Sequence, residues 1–411
     1  MAQLRDAVIV GYVRSAFSRS RPREPERDVF NNIRVDDLSA TLVKELIKRA
    51  GIKGEDVNEV IVGAARALNE QSPFGGRMVV FLSELPISVS AHFVDRQCGS
   101  SMTTAHNGAM EIMLGFADVV ISVGMEHMTH LPMGGAPPGA TPAGPPDPNA
   151  GPNSRLFMDP KISVVVDLAT TMNMGLTAEK LAKHAGISRE DMDKWAFRSH
   201  QLAGKAIKEG YFKGEILPVE GTLPDGKKVM VEVDQAVRGD TTLEQMAQLK
   251  PAYTQDGMIT AGNASPLNAG ASSLLLMSRD AAKKHGLKPM ASFVSMGFAG
   301  VDPTMMGMGP VPASKRALSA AGMTVKDIDF WEINEAFSVV PLFAIRELGI
   351  DPNKVNIKGG ALAIGHPLGA SGSRLIGTLA RILQIEKGKY GLATLCCGGG
   401  QGVATIIKRE E

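Results

Sequence analysis

The sequence predicts an α/β architecture, with helices laid on the faces of buried sheets. Three observations carry this. Short apolar, strand-like runs alternate with segments of helical periodicity along the chain. With 411 residues, 44% of them hydrophobic, the chain can bury a large core divided into two or three lobes. Finally, a proline- and glycine-rich stretch at 134–161 interrupts the alternation where neither helix nor strand can propagate.

The run Ala7-Val8-Ile9-Val10-Gly11-Tyr12-Val13 reads as the first strand; it is too short and too early for a signal sequence. Arg14, Arg19, Arg21, Arg23 and Arg27 suggest an organelle presequence, but Glu24, Glu26 and Asp28 interrupt them and a strand precedes them. Leu38, Leu42 and Leu46, with Val43 and Ile47, share one face of a helix that Gly51 closes. Further strands are expected at 59–63, 118–123, 273–277, 328–333 and 392–395. Ser188 and Asp191 form a capping box, with Ile187 and Met192 as a staple, for a helix running to about Gly210. The long loop at 134–161, a lid or a docking surface, precedes a basic helical stretch at 174–240 and places an inserted lobe between two sheet-bearing parts.

The charge balance, 44 basic against 43 acidic residues, offers no overall field for nucleic acid or an anionic membrane. Any anionic ligand must be met locally. No apolar run approaches the roughly 20 residues of a membrane span. Three cysteines, two adjacent, make no secreted disulfide framework, so a reducing compartment, by default the cytoplasm, is expected.

All three cysteines lie in glycine-rich or helix-start stretches. Cys98 opens the helical pattern Met102, Ala105, Ala109, Ile112, Met113. A helix start lowers a thiol pKa; the plainer alternative is a small residue packing a tight turn. His366 lies between Gly365 and Pro367, ahead of Gly369-Ala370-Ser371-Gly372. An imidazole there could deprotonate a thiol. Cys396 ends a strand before Gly398-Gly399-Gly400, whose amides could form an oxyanion hole; alternatively it packs the strand end, or forms a redox-responsive pair with Cys397. Asn334 could hold a water or a substrate oxygen, or cap the next helix. Glu126-His127 with His130 has metal-like spacing but no further ligand cluster, so no metal site is expected.

These residues in this order resemble the thiolase family over about residues 6–408. With Gly124-Met125-Glu126-His127-Met128 and Met174-Gly175-Leu176-Thr177-Ala178-Glu179, the chain looks most like degradative 3-ketoacyl-CoA thiolases, the β-subunits of fatty-acid oxidation complexes. The resemblance implies the thiolase fold: two similar βαβαβαββ halves in five αβαβα layers, the first at 1–127 and 241–283, the second at 284–411, and a loop domain at 128–240 over the site. It implies Cys98 as acylated nucleophile, His366 as its activator, Cys396 as acid/base, Asn334 at a first oxyanion hole, and the amides of Cys98 and Gly398 at a second. Ala261 and Ser265 would line a pantetheine groove, with Arg238 near the adenine. Met174, Ala336 and Phe337 would line an inner tunnel.

The same resemblance implies coenzyme A as substrate rather than permanent cofactor. It also implies a homodimer or dimer of dimers, and a possible hydratase/dehydrogenase α-subunit as partner. Asp95, Lys358 and Pro266 depart from residues common in the family, and Lys358 adds charge near the His366 loop. Met128, Met133, Met158, Met172 and Met174 cluster around the long loop, suggesting an adaptable wall for medium or longer acyl chains. The alternatives are a biosynthetic acetoacetyl-CoA thiolase, a silent acyl- or sterol-binding relative, and a thiol redox sensor.

Overall fold

The computed structural model of the protein describes residues 4–132 and 167–411. The first half contributes β1 (Ala7–Ser15), β2 (Ser18–Arg19), β3 (Glu59–Gly63), β4 (Ser90–Val94) and β5 (Val119–His127). The inserted lobe adds the short β6 (Ile216–Leu217) and a hairpin of β7 (Val219–Thr222) and β8 (Lys228–Val231). Then follow β9 (Asn268–Ser278), β10 (Ala291–Gly300), β11 (Phe330–Ile333), β12 (Tyr390–Cys397) and β13 (Gln401–Arg409).

The two halves repeat one set of pairings. In the first, β4 runs parallel to β3 and β3 to β5, while β9 is antiparallel to both β5 and β1. In the second, Val355 bridges Trp331 of β11 in parallel, β11 is parallel to β12, and β13 is antiparallel to β12 and β10. The edge strand of the second half is thus reduced to a single bridge. The sheets join where β1 meets β10 at Val8↔Ser292 and Ile9↔Ala291.

Helices complete the five layers. The helix Val35–Ala50 packs on β1, β5 and β9 from outside, and Pro310–Ala321 covers β10, β12 and β13. Ser100–Leu114 and Ser371–Glu386 lie between the two sheets and touch each other. The first helix follows from its apolar stripe: Leu38, Leu42 and Leu46 are buried, each contributing about 1.5–3 kcal/mol, and Gly51 ends it in the left-handed region at φ 64°. The middle helices are buried on nearly all sides, which explains their weaker sequence signature. Their close approach requires glycine at 372, where a Cβ would sit 2.1 Å from the amide nitrogen of Met102.

The inserted lobe enters at a corner. In the second half, β12 and β13 are joined by Gly398-Gly399-Gly400 alone; in the first, the equivalent pair β5 and β9 is separated by residues 128–267. The lobe therefore departs from the position that in the other half is the turn after Cys397. Arg14, buried at the end of β1, holds the lobe with Glu215 at 2.7 Å and Asp234 at 2.7 and 2.9 Å. The first of the arginine run is thus a buried structural group, and removing one partner of such a network costs about 3–5 kcal/mol. Helix Arg189–Lys208 starts at Ser188, whose hydroxyl accepts from the Asp191 amide at 3.1 Å, with Ile187 and Met192 buried together. The loop at 134–161, with Met133 and Met158, lies outside the described residues. Among the described residues, no helix is long and apolar enough to cross a membrane.

Candidate active site

Cys98 and His366 stand just ahead of the amino ends of the two central helices, Ser100–Leu114 and Ser371–Glu386. The helix ends are locked by the Ser373 amide donating to Ser101 Oγ at 2.9 Å. Leu368, two residues after His366, shares a core cluster with Cys98 and Met128. Gly369 lies so close to the Gly63–Ala64 backbone that a Cβ would meet Ala64 Cα at 2.5 Å. Ser100 Oγ in turn donates to Ala64 O at 3.2 Å. The fold thus brings residues 98 and 366 to one place from opposite halves of the chain.

Cys98 is 6% exposed. The amides of Gly398 and of Cys98 itself are directed at its sulfur, and Cys396 is close enough for its charge and that of Cys98 to interact. Here the structure corrects the expectation from the helix start. Burial, helped by the negative charge of Glu126, outweighs both amides and pushes the Cys98 thiol up to about 12. Cys396 is likewise pushed up by burial and by Cys98. Both thiols are held neutral.

The adjacent cysteines face opposite sides of β12, as alternate strand residues must. Cys396 belongs to the cluster containing Ala336 and Phe337; Cys397 belongs to that of Cys98 and Met102. The Cys397 sulfur would lie 2.6 Å from a Cβ at Gly99, which accounts for the glycine there.

Burial lowers the pKa of His366 to about 3, so its ring is neutral. Its amide donates to Asn268 Oδ1 at 2.8 Å, and Gly365, at φ 108°, leaves room for that asparagine. Nδ1 lies 2.6 Å from Ser371 Oγ, and that hydroxyl donates its one proton to Pro367 O at 2.9 Å. With that hydroxyl donating to Pro367 O, Nδ1 carries the hydrogen and Nε2 presents a lone pair. Asn334 Nδ2 is 3.3 Å from Nε2, while Asn334 Oδ1 is buried without a partner among the described residues.

Neighbouring carboxylates hold the backbone. Glu335 accepts from Trp195, Ser199, Asn356 and the Leu362 amide, tying the strand end of Asn334 to the His366 segment and to the inserted lobe. Glu126 accepts from the amides of Ala65 and Gly369 and from Gln71. The metal-like spacing in the sequence thus belongs to a structural clamp, and His130 is engaged by Glu70 at 2.9 Å and Asn31 O at 2.8 Å. Ser371, Asn268 and Glu335 were not singled out in the sequence. Only Ser371 carried a signal, as a polar residue opening the helix after the histidine.

A cavity of about 1160 Å³ is lined by Arg238, Ala261, Ser265 and Pro266 among others and reaches Leu362 of the His366 segment, while Cys98, His366 and Cys396 are not on its wall. Met174, Ala336 and Phe337 stand one layer behind the wall rather than on it. The Ser265 amide donates to Ala336 O at 2.9 Å, Phe337 packs edge-on against the lining residue Tyr253, and Met174 opens the helix whose Gly175 abuts that tyrosine. Lys358 does not project a free charge at the His366 loop: it pairs with Glu386 at 2.7 Å.

Comparison with known proteins shows the family of the whole chain. The thiolase N-terminal domain model matches residues 7–280 and the thiolase C-terminal domain model residues 287–409. The chain is 42% identical over 409 residues to a 3-ketoacyl-CoA thiolase of Marinomonas sp. (strain MWYL1), covering 98% of each. It is also 42% identical over 410 residues to that of Hahella chejuensis (strain KCTC 2396), again covering 98% of each. The crystal structure of human mitochondrial 3-ketoacyl-CoA thiolase superposes with a TM-score of 0.86 at 35% identity, covering 100% of both chains. Its complex with CoA gives 0.85 at 35% identity, covering 100% of this chain and 99% of that one. The chain belongs to the thiolase family.

Proposed function

We propose that the protein is a 3-ketoacyl-CoA thiolase, cleaving a 3-ketoacyl-CoA with CoA to acetyl-CoA and a shortened acyl-CoA. The observation that carries this is the pairing of two neutral thiols, Cys98 and Cys396, at an amide-lined turn, with a neutral histidine whose Nε2 is free to accept a proton.

Cys98 Sγ attacks the C3 carbonyl and passes its proton to His366 Nε2. The carbonyl becomes an oxyanion, and losing one donor to such a charge costs about 3–4 kcal/mol. Collapse breaks the C2–C3 bond, leaves the acyl group on Cys98, and releases the enolate of acetyl-CoA. Cys396 protonates that enolate at C2. The Cys396 thiolate then takes the proton of incoming CoA, whose sulfur attacks the acyl-Cys98 thioester. Cys98 leaves and recovers its proton from His366. The amides of Cys98 and Gly398 serve one oxyanion and Asn334 orders the other.

Ala261 and Ser265 take the pantetheine arm, Arg238 lies by the adenine, and Met174, Ala336 and Phe337 back the acyl tunnel. The lobe at 128–240 covers the site between halves at 1–127 with 241–283 and at 284–411. The working form is a cytoplasmic homodimer or dimer of dimers serving fatty-acid β-oxidation, with a hydratase/dehydrogenase α-subunit as candidate partner. Incubation with a series of 3-ketoacyl-CoAs plus CoA, following acetyl-CoA release, tests the reading. Release from medium and longer chains is expected; turnover of acetoacetyl-CoA alone would favour the acetyl-CoA acetyltransferase reading, and no release from any member would overturn both.

A further inference from the structure

The arginine run at residues 19–23 finds a place in the structure that the catalytic reading leaves unused. Arg19 ends β2, paired with Asn268 of β9. The segment beyond it is pinned by the Ser20 amide on Leu267 O at 2.8 Å and the Arg21 amide on Thr129 Oγ1 at 2.9 Å. Arg19, Arg21 and Arg23 therefore line the same cavity as Arg238.

These four guanidinium groups make no ion pair or side-chain hydrogen bond to another described residue. Among the described residues, the carboxylates on the cavity wall are Glu24, which Arg27 holds at 2.9 Å, and Asp240. Arg19 is half-buried, and its pKa is lowered by burial and by the like charges of Arg21, Arg238 and Arg27. His200, on the same wall, is kept neutral by burial and Arg238, its pKa lowered to about 4. Unrelieved like charge around a cavity, in a chain whose charges otherwise nearly cancel, is a cost that an anionic ligand removes.

We propose that Arg19, Arg21 and Arg23 bind the phosphate groups of coenzyme A across the cavity from Arg238, making the protein select CoA over phosphate-free pantetheine thiols. This rests on the thiolase reading, which puts the adenosine end of CoA beside Arg238. Guanidinium is suited to the task, since its planar donors match phosphate oxygens two at a time.

The test compares the wild type with R19Q/R21Q/R23Q, full-length, using acetoacetyl-pantetheine as acyl donor and either CoA or pantetheine as acceptor. The ratio of kcat/KM for CoA to that for pantetheine should fall about tenfold or more in the variant. Added salt should erode the ratio in the wild type far more than in the variant. Circular dichroism melting checks that the variant folds. An unchanged ratio in a folded variant overturns the proposal. If the wild type turns over neither acceptor, acetyl-CoA release from the 3-ketoacyl-CoA series decides the thiolase reading separately. Calorimetric titration with CoA and with pantetheine then decides: CoA binding lost in the variant supports the phosphate site, and equal CoA binding in both proteins overturns it. Should the variant not fold, R21Q and R23Q are read singly against the same ratio, and no change in either overturns the proposal.

Discussion

Ser371 Oγ lies 2.6 Å from His366 Nδ1 and gives its own proton to Pro367 O, so one hydroxyl decides which imidazole nitrogen is free. In Ser371→Ala this acceptor is lost, Nδ1–H is left buried without a partner, and the alternative tautomer becomes competitive. We expect kcat for thiolysis to fall about tenfold or more, with a much smaller change in KM. Steady-state kinetics with acetoacetyl-CoA checks this; wild-type kcat would remove Ser371 from the site.

Cys98 is the residue expected to carry the acyl group. Intact mass after exposure to acetyl-CoA without an acceptor should show a single acetyl adduct, absent in Cys98→Ala. An adduct persisting on Cys396 or Cys397 in that variant would contradict the assignment.

Cys396 and Cys397 should differ because they face different clusters. Cys396→Ala should still acetylate Cys98 yet turn over at least about a hundredfold more slowly, for want of its proton exchange. Cys397→Ala should stay active while losing about 1 kcal/mol of stability from the space left against Gly99. Equal loss of turnover in both variants would be inconsistent with the proposed roles.

The pH dependence of thiol reactivity follows from burial. With its pKa pushed up to about 12, Cys98 holds little thiolate near neutrality, and the fraction grows as pH rises towards that value. Alkylation of Cys98 by iodoacetamide, followed by peptide mass, should therefore keep accelerating above pH 9 instead of levelling near the ordinary cysteine value of about 8.5. His366, with its pKa lowered to about 3, stays neutral at mild acidity and should add no inflection between pH 5 and 8. A plateau reached by pH 8 would mean a thiolate–imidazolium pair at rest.

By itself the sequence determined the α/β class, the stripe of Leu38, Leu42 and Leu46 ended by Gly51, and the motifs around Cys98, His366 and Cys396. Each of these is written locally, in periodicity, in turn residues or in glycine spacing, and local patterns survive without knowledge of the fold. Only the tertiary structure decided what depends on distant partners. The lowering effect of the helix start on the Cys98 thiol was legible, but the desolvation that overcomes it comes from burial in a cluster drawn from both halves, Ala65 and Met102 as well as Leu368 and Cys397. Spacing alone could not reveal that the amides of Ala65 and Gly369 take up Glu126 and that the Glu70 carboxylate takes up His130. The arginine run carried no sign of its partners; the fold buries Arg14 between Glu215 and Asp234 and sets Arg19, Arg21 and Arg23 around one cavity. Electrostatic environment and burial are sums over the whole chain in space, and a linear sequence does not carry them.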